Sequence, residues 1–541
     1  MQKKDTFFIT TPIYYTNWVP HIGNSYSSII ADLIARYNKI SGKKVKFSTW
    51  VDENSQKALN KACEQNMEIK PYLDMMALKH KEIWNWLKIE YTDFIRTTDE
   101  KHHNLVKEVL QKSFDNWDIY EWEYEGMYCV WCEAFKKDED LVYLNKEKNV
   151  TFPISDKVKI NENIIKVCPD HLKTPDKIKE KNYFFKLSKY ENFLKEFYET
   201  HPDFIIPSDR FNEVKAFVSR WLEDFSISRE TNKFWIKLPF DESQVTYVWY
   251  DALFNYLTVC QNWNEDFWPA NLHVVGKDII RFHGIYWPAM LKSAWYELPK
   301  QILTTGFFTI NWQKISKSLW NAIDPVEFTK KYSKDLLTLY LLSSFNIWQD
   351  WDFDEKQAVL AYNAKLANNL WNLLNRVVVL SLKLSEKAWE LFWEILTDKE
   401  EIVDLQKINN WLSKKVVLQE FEENMDKYDL KKSLEINFFT LDLLNDFITK
   451  SEPWQTIKQE EKTEETRQVL YIVAEWLRQV WLNLYTFFPE KITEMFEKLW
   501  LKNYKNILEN WWFEELKNKV EIFKIIEKGN PLFERIEITK N

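Results

Sequence analysis

Thr6 to Thr10 is apolar and β-prone, Pro12 to Pro20 carries loop chemistry, and from His21 the apolar positions Ile22, Tyr26, Ile29, Ile30, Leu33, Ile34 and Tyr37 recur at helical spacing. Gly42 closes that helix as a C-cap glycine would, and Val45 to Ser48 supplies a second strand. A helix between two strands makes them parallel, with a right-handed crossover. The chain therefore opens as a parallel, nucleotide-binding type of sheet.

Further strands are expected at Val245–Trp249, Leu272–Val275 and Gln301–Phe307, with helical patterns between them. Residues 120–185 differ in kind, holding Cys/His pairs, many lysines and short strand-like pieces, and read as an inserted module. From about 355 the pattern is almost wholly helical, with Leu360, Leu366, Leu370, Leu373 and Leu374 opening a bundle. The fold class is an α/β Rossmann-like parallel-sheet catalytic domain with a zinc-knuckle insertion, followed by an all-α helical bundle. Its expected segments are 1–118 and 231–325 for the two halves of the sheet domain, 119–230 for the insertion (knuckle 129–171), 326–354 for a linker and 355–541 for the bundle.

No run approaches 18 uncharged apolar residues, so no membrane span is expected. The start, Met1 to Asp5 running into Thr6-Phe7-Phe8-Ile9, has no small-residue cleavage site behind it, so a cytoplasmic protein is expected. Five cysteines in 541 residues make no disulfide framework. A net charge of −9 leaves room for a nucleic-acid partner only through a local basic stripe.

Two short motifs carry phosphate chemistry. His21-Ile22-Gly23-Asn24 stands where the first loop becomes the first helix, whose free N–H groups and positive dipole end suit a phosphate. Gly23 lets backbone approach a ligand, and His21 and Asn24 can donate hydrogen bonds; a plain capped helix start is the bland alternative. Lys314-Ile315-Ser316-Lys317-Ser318 puts two cations on a loop after a strand, able to hold the phosphates of ATP as charge builds on the transferring phosphorus. A solvated polar loop is its alternative. No Walker-type or dinucleotide glycine motif is present.

This pair resembles the HIGH and KMSKS motifs of class I aminoacyl-tRNA synthetases. Thr10-Thr11-Pro12-Ile13-Tyr14-Tyr15, Asp93 to Thr98, Tyr247-Val248-Trp249-Tyr250-Asp251-Ala252 and Gly276-Lys277-Asp278 resemble methionyl-tRNA synthetases in order, from about residue 6 to about 535. The resemblance implies a ligase that joins methionine to ATP as methionyl-adenylate and passes the aminoacyl group to the 3′ end of tRNA(Met), with Mg2+ accompanying ATP. It implies His21, Asn24, Lys314 and Lys317 at the adenylation transition state, and Gly23, Gly276, Lys277, Asp278, Ser316 and Ser318 around ATP. The implied methionine site is Ile13, Tyr15, Asp52, Trp249, Ala252, Leu253, Tyr256, Phe282 and His283, with Asp52 on the ammonium and aromatic edges on the thioether. Asn24 departs from the family's final His, and Asp52-Glu53-Asn54-Ser55 from its usual Asp-Glu-His-Gly.

Cys129-x-x-Cys132 and Cys168-x-x-His171 are two chelating pairs with the spacing of a closed, structural zinc site. Asn372 and Arg376, four apart on a helical stretch, share a face, and Pro453-Trp454 begins another helix. The resemblance implies that Asn372, Arg376 and Trp454 read the anticodon; a polar helix face and a helix start are the alternatives. The family's occasional C-terminal OB-fold has no counterpart here, so a monomer is expected. Competing functions are a non-catalytic protein on the same scaffold, another nucleotidyltransferase, and a synthetase for leucine, isoleucine, valine or cysteine. The chain lacks room for the large editing insertion of the first three, and the cysteine enzyme holds zinc in the catalytic site itself.

Composition matters at one point. The chain has 7 glycines and 28 tryptophans, whereas ordinary usage of about 7% would give roughly 38 glycines. Trp18, Trp50, Trp117, Trp221, Trp312, Trp320 and Trp371 stand where the family has glycine, while Trp249, Trp268, Trp287 and Trp454 match family tryptophans. UGA codons read as glycine in the host would account for the exchange. The gene's codons test this: UGA is expected at positions 18, 312 and 320, and UGG there ends the idea.

Overall fold

The computed structural model describes residues 5–129, 134–136, 140–147, 150–154, 161–169, 172–230, 235–261, 265–310, 312–315, 322–384, 389–392, 414–498, 522–525 and 530–537. Its centre is a seven-stranded sheet in which every pairing is parallel. β1 (Thr6–Thr10) lies in the middle, with Ile9 opposite Phe47 of β3 (Lys44–Asp52) on one side and Leu272 of strand Leu272–Gly276 on the other. β2 (Tyr14–Tyr15) and β4 (Asp93–Arg96) both pair with β3, while Gln301–Thr305 and Ile205–Ile206 extend the opposite flank. A central parallel strand is covered on both faces, so β1 is apolar without alternation: Phe7, Phe8 and Ile9 are all buried.

The crossover helix α1 (Ile22–Ile40) packs Ile30, Ile34 and their neighbours on one face of the sheet. It ends at Ser41, and Gly42 takes the left-handed conformation just beyond, as the sequence predicts. The strand order reverses at β1, so the crevice beyond the carboxyl ends of β1 and Leu272–Gly276 is the sheet's natural ligand site. An insertion leaves and returns through one long antiparallel pair, Ile119–Cys129 with Asp176–Phe185, which carries the smaller sheet Val142–Asn145, Val150–Pro153 and Ile164–Val167.

The helical region runs through Glu355–Lys383 as one rod with a wide-turned middle, then Lys414–Asp426, Leu430–Ser451, Thr463–Tyr485 and Pro489–Lys498. It docks on α1, where the buried Arg36 pairs with Asp32 at 2.5 Å and donates to Thr486 O at 2.9 Å.

Three expectations need correction. Only Val245–Thr246 of the run Val245–Trp249 is a strand; it pairs antiparallel with Ser228–Arg229, and Val248–Ala252 is helical. The β-prone run is overridden because Asp251 and Tyr250 gain buried partners only when the chain turns in. The strand Gln301–Phe307 stops at Thr305, because the Gly306 backbone passes so close to Gln349 O that a Cβ would stand 2.1 Å from it. The bundle is not purely helical: Trp389–Phe392 pairs antiparallel with Ile522–Ile525, a partnership too distant in sequence to show in local pattern.

Trp117, Trp221 and Trp312 have left-handed backbones, φ 59°, 76° and 58°, and their side chains are exposed. Trp295, φ 61°, joins them. Trp117 and Trp295 each stand one residue past a helix cap, and the next residue's N–H returns to the helix (Asp118 to Ser113 O, Tyr296 to Leu291 O), the place where glycine is the usual choice. Trp312 lies between the paired Ile310 and Gln313, where the sequence reads Asn-Trp and the hairpin habit is Asn-Gly. Trp18 and Trp50 show no such backbone; Trp50 and Trp371 are buried, so close packing rather than dihedral freedom is at issue at those two, and Trp320 lies outside the described residues. A Cβ in the left-handed region costs roughly 1–2 kcal/mol, partly offset by glycine's greater unfolded-state entropy. Trp117→Gly, Trp221→Gly and Trp312→Gly should therefore each stabilise the tryptophan-containing chain by about 0.5–1 kcal/mol in denaturant titrations, and a loss of stability at all three would contradict this account.

Candidate active site

His21 caps α1. Its Nδ1 accepts from the Gly23 N–H at 3.1 Å, and the His21 N–H donates to Asn24 Oδ1 at 3.2 Å, closing a reciprocal cap. An imidazole that accepts at Nδ1 carries its proton on Nε2, and Asn24, its oxygen engaged in the cap, has its NH2 as donor. The ring lies so near Gly23 that a Cβ there would stand 3.0 Å from His21 Cε1. Glycine leaves room for the histidine to fold over the helix start. Asn in place of the family's His thus has a local structural role as well as a donor group.

The Ile22 N–H donates to Ile323 O at 3.0 Å, so the segment that follows the lysine motif is tied to the same helix start. Lys314 lies on a short strand (Gln313–Lys314) antiparallel to Phe308–Ile310, and Phe308 meets Tyr26 of α1 edge-on at 4.6 Å. Ser316, Lys317 and Ser318 lie outside the described residues, as does the Lys314 side chain. Gly276 ends its strand at the crevice and is followed by the turn Lys277–Ile279, where Lys277 pairs with Asp350 at 2.5 Å and lies over the Phe307 ring. Burial works against the Asp350 charge, but the Lys277 ammonium and the Phe307 N–H together hold its pKa below the ordinary carboxylate range.

The residues implied for methionine converge. Trp249 stacks flat on Phe282 at 3.7 Å, and Ala252, Leu253 and Tyr256 are buried behind them. Tyr256 OH donates to His283 Nε2 at 2.8 Å, and His283 Nδ1 donates to Ile279 O at 3.0 Å. Burial holds the His283 imidazole down, to about 4, so it is neutral and can act as this acceptor. Ile13, in the loop after β1, and Tyr15, on β2, pack in the same cluster, with Lys57 over the Tyr15 ring at 5.1 Å. Trp50, fully buried on β3, donates to Thr11 O and meets Tyr256 edge-on at 5.6 Å, filling space beside the slot at a family-glycine position.

Asp52 ends β3 fully buried, and its Oδ1 accepts from the Asn54 N–H at 2.8 Å and Thr97 Oγ1 at 3.3 Å. The Asp93–Thr98 motif serves as its buttress. Thr97 Oγ1 also takes the Glu53 N–H, and Arg96 pairs with Glu53 at 2.8 Å and Asp74 at 2.6 Å. Sequence reasoning missed three members of this neighbourhood. Asn54 donates its side-chain amide to Asp251 Oδ2, which Thr246 Oγ1 also reaches at 3.3 Å. Burial pushes the Asp251 carboxyl up to about 8, against the pull of both hydrogen bonds, so it is protonated at neutral pH. His273, neutral by burial, bonds Thr10 at 2.7 Å and packs its ring 4.3 Å from Tyr256. Only the departure at Asn54 and the place of Asp251 inside a motif gave any signal; His273 on a strand gave none.

Away from the crevice, Cys129 ends one strand of the insertion and Cys168 follows another, and the two pack with Leu141 in one small buried cluster. The chain turns tightly after Cys168, whose carbonyl accepts from the Leu172 N–H and whose N–H donates to Lys173 O. Cys132 and His171 lie outside the described residues. In the bundle, Asn372 and Arg376 are exposed on one helix, and Arg376 reaches Thr449 at 3.5 Å, near the end of helix Leu430–Ser451. The left-handed Glu452 then turns the chain into Pro453–Thr456, so Trp454, half-buried, comes to the same end of the bundle.

The model of one family, tRNA synthetases class I (M), matches residues 7–378. The chain is 36% identical to a methionine–tRNA ligase of Thermotoga maritima, over 98% of this chain and 80% of that protein. It is 35% identical to one of Synechocystis, over 95% and 92%. Among solved structures, methionyl-tRNA synthetase of Mycobacterium tuberculosis bound by methionyl-adenylate aligns with a TM-score of 0.87 at 29% identity, covering 98% of this chain and all of that one. A histidine-capped helix at the switch point of a parallel sheet is common to many nucleotide folds, but with these likenesses across its length the chain belongs to the class I tRNA synthetases of the methionine type.

Proposed function

We propose that this chain is the methionine–tRNA ligase its relatives are named for. The observation that carries the proposal is the placement, at one crevice, of a capped helix start, a buried acid and an aromatic slot. Asp52 takes the substrate ammonium, while Trp249, Phe282, Tyr256 and His283 surround the thioether, which aromatic edges suit. Ile13, Tyr15, Ala252 and Leu253 complete the slot. The substrate carboxylate then faces the α-phosphorus of ATP held at the start of α1.

In the first step the carboxylate oxygen bonds to the α-phosphorus and the bond to the β-phosphate oxygen breaks, giving methionyl-adenylate and pyrophosphate. His21 Nε2–H and the Asn24 amide donate to the phosphate oxygens as their charge grows, at the positive end of the helix dipole. Lys314 and Lys317 neutralise the departing phosphates that Mg2+ accompanies, with Gly23, Gly276, Lys277, Asp278, Ser316 and Ser318 around the nucleotide. In the second step a hydroxyl at the 3′ end of tRNA(Met) attacks the adenylate carbonyl and AMP leaves. Asn372, Arg376 and Trp454, at one end of the bundle, contact the anticodon, with Trp454 as a stacking surface. We propose that it works as a cytoplasmic monomer.

Methionine-dependent pyrophosphate exchange tests the first step. His21→Ala should lower its kcat by about 10²–10³-fold and leave the KM for methionine unchanged, whereas undiminished exchange would remove the helix start from the chemistry. Trp454→Ala should leave exchange intact and weaken tRNA charging by about 1–3 kcal/mol, read in kcat/KM; an equal loss in both assays would make Trp454 a structural residue only.

We also propose a structural zinc on Cys129, Cys132, Cys168 and His171. The support is that one cysteine from each pair meets the other in the same buried cluster, and that the Cys168 N–H and carbonyl bond Lys173 and Leu172 just beyond it. Bound zinc would cross-link the two ends of the inserted sheet. Metal analysis of the purified protein should find about one zinc per chain, lost together with insertion stability in Cys129→Ser; a metal-free, equally stable protein would refute it.

A further inference from the structure

Asn54 sits where two separately built parts of the site meet. Its backbone N–H donates to Asp52 Oδ1 at 2.8 Å, and its side-chain amide donates to Asp251 Oδ2. Asp52 ends a strand of the central sheet, whereas Asp251 lies on the short helix Val248–Ala252 that presents Trp249 to Phe282. Asp52 and Asp251 are fully buried and Asn54 almost so, so no water competes for these bonds. Apart from Asn54, Asp251 Oδ2 is held from its own segment, by Thr246. The amide of Asn54 is therefore a direct side-chain link between the acid loop and the aromatic helix. An amide offers a donor of fixed charge, which matches a carboxyl neighbour that keeps its proton.

We propose that Asn54 is a positioning residue for methionine activation: by tying the Asp52 loop to the helix of Trp249 and Ala252, it sets where the substrate's ammonium sits relative to its thioether. This rests on Asp52 as the ammonium's partner. Removing the amide frees two rigid bodies to shift, and a displacement of order 1 Å between two anchoring points weakens recognition of a ligand that must reach both. ATP binding, which uses the start of α1, does not run through this link.

The test is methionine-dependent pyrophosphate exchange with Asn54→Ala, with Asn54→Ser as a second variant should the first fold poorly. The KM for methionine is expected to rise about 10-fold or more, with the KM for ATP unchanged and kcat within about twofold. Asn54→His should restore most of the affinity, because an imidazole N–H can donate to Asp251. A purely structural role would move stability, or both KM values together, and that outcome overturns the proposal. Asp52→Asn is the companion variant. If it raises the methionine KM while Asn54→Ala and Asn54→Ser do not, Asn54 has no positioning role and the ammonium site stands. If Asp52→Asn leaves the methionine KM unchanged, the ammonium site itself is wrong and the positioning role falls with it.

Discussion

The parallel pairing of β1 with β3 through α1 is the constraint on which the rest of the structure depends. A right-handed crossover can deliver the start of its helix to one place only, beyond the carboxyl end of the first strand. That places the His21 cap there, and the same sheet edge then presents Asp52 at the end of β3 and Gly276 at the end of its neighbour. A sheet buried on both faces leaves its strand ends as the region where polar groups can be exposed to a ligand. The active site is in this sense a by-product of chain direction.

Around that edge the protein manages charge by removing it. His273 and His283 are kept neutral by burial, and so is Asp251. Each is held by hydrogen bonds to neutral partners: Thr10, Tyr256, Ile279 O, Asn54 and Thr246. Unpaired buried charges would cost several kcal/mol each, and neutral networks avoid that while still fixing geometry. An uncharged, aromatic slot of this kind suits a side chain that is apolar and polarizable.

The tryptophan surplus has a physical counterpart. Trp117, Trp221 and Trp312 have left-handed backbones, the region that glycine favours. All three side chains point to solvent, so nothing in the packing rewards their bulk. Trp50 differs, being wholly enclosed beside Tyr256, where its size bears on the volume of the slot. Backbone geometry thus separates positions where glycine would relieve strain from those where it would open space.

Much of the catalytic frame was legible in the amino-acid order. The strand–helix–strand opening, the capped His21, the C′ glycine at position 42 and the amphipathic bundle all follow from patterns a few residues long, because they are decided by local sterics and burial periodicity. Tertiary structure alone decided what depends on partners far apart in the chain: the turn-in of Val248–Ala252, the strand pair Trp389–Phe392 with Ile522–Ile525, and the link from Asn54 to Asp251. A buried hydrogen bond between residues so distant in sequence leaves no periodic trace, since its energy exists only once the sheet has brought its two ends together and excluded water from between them.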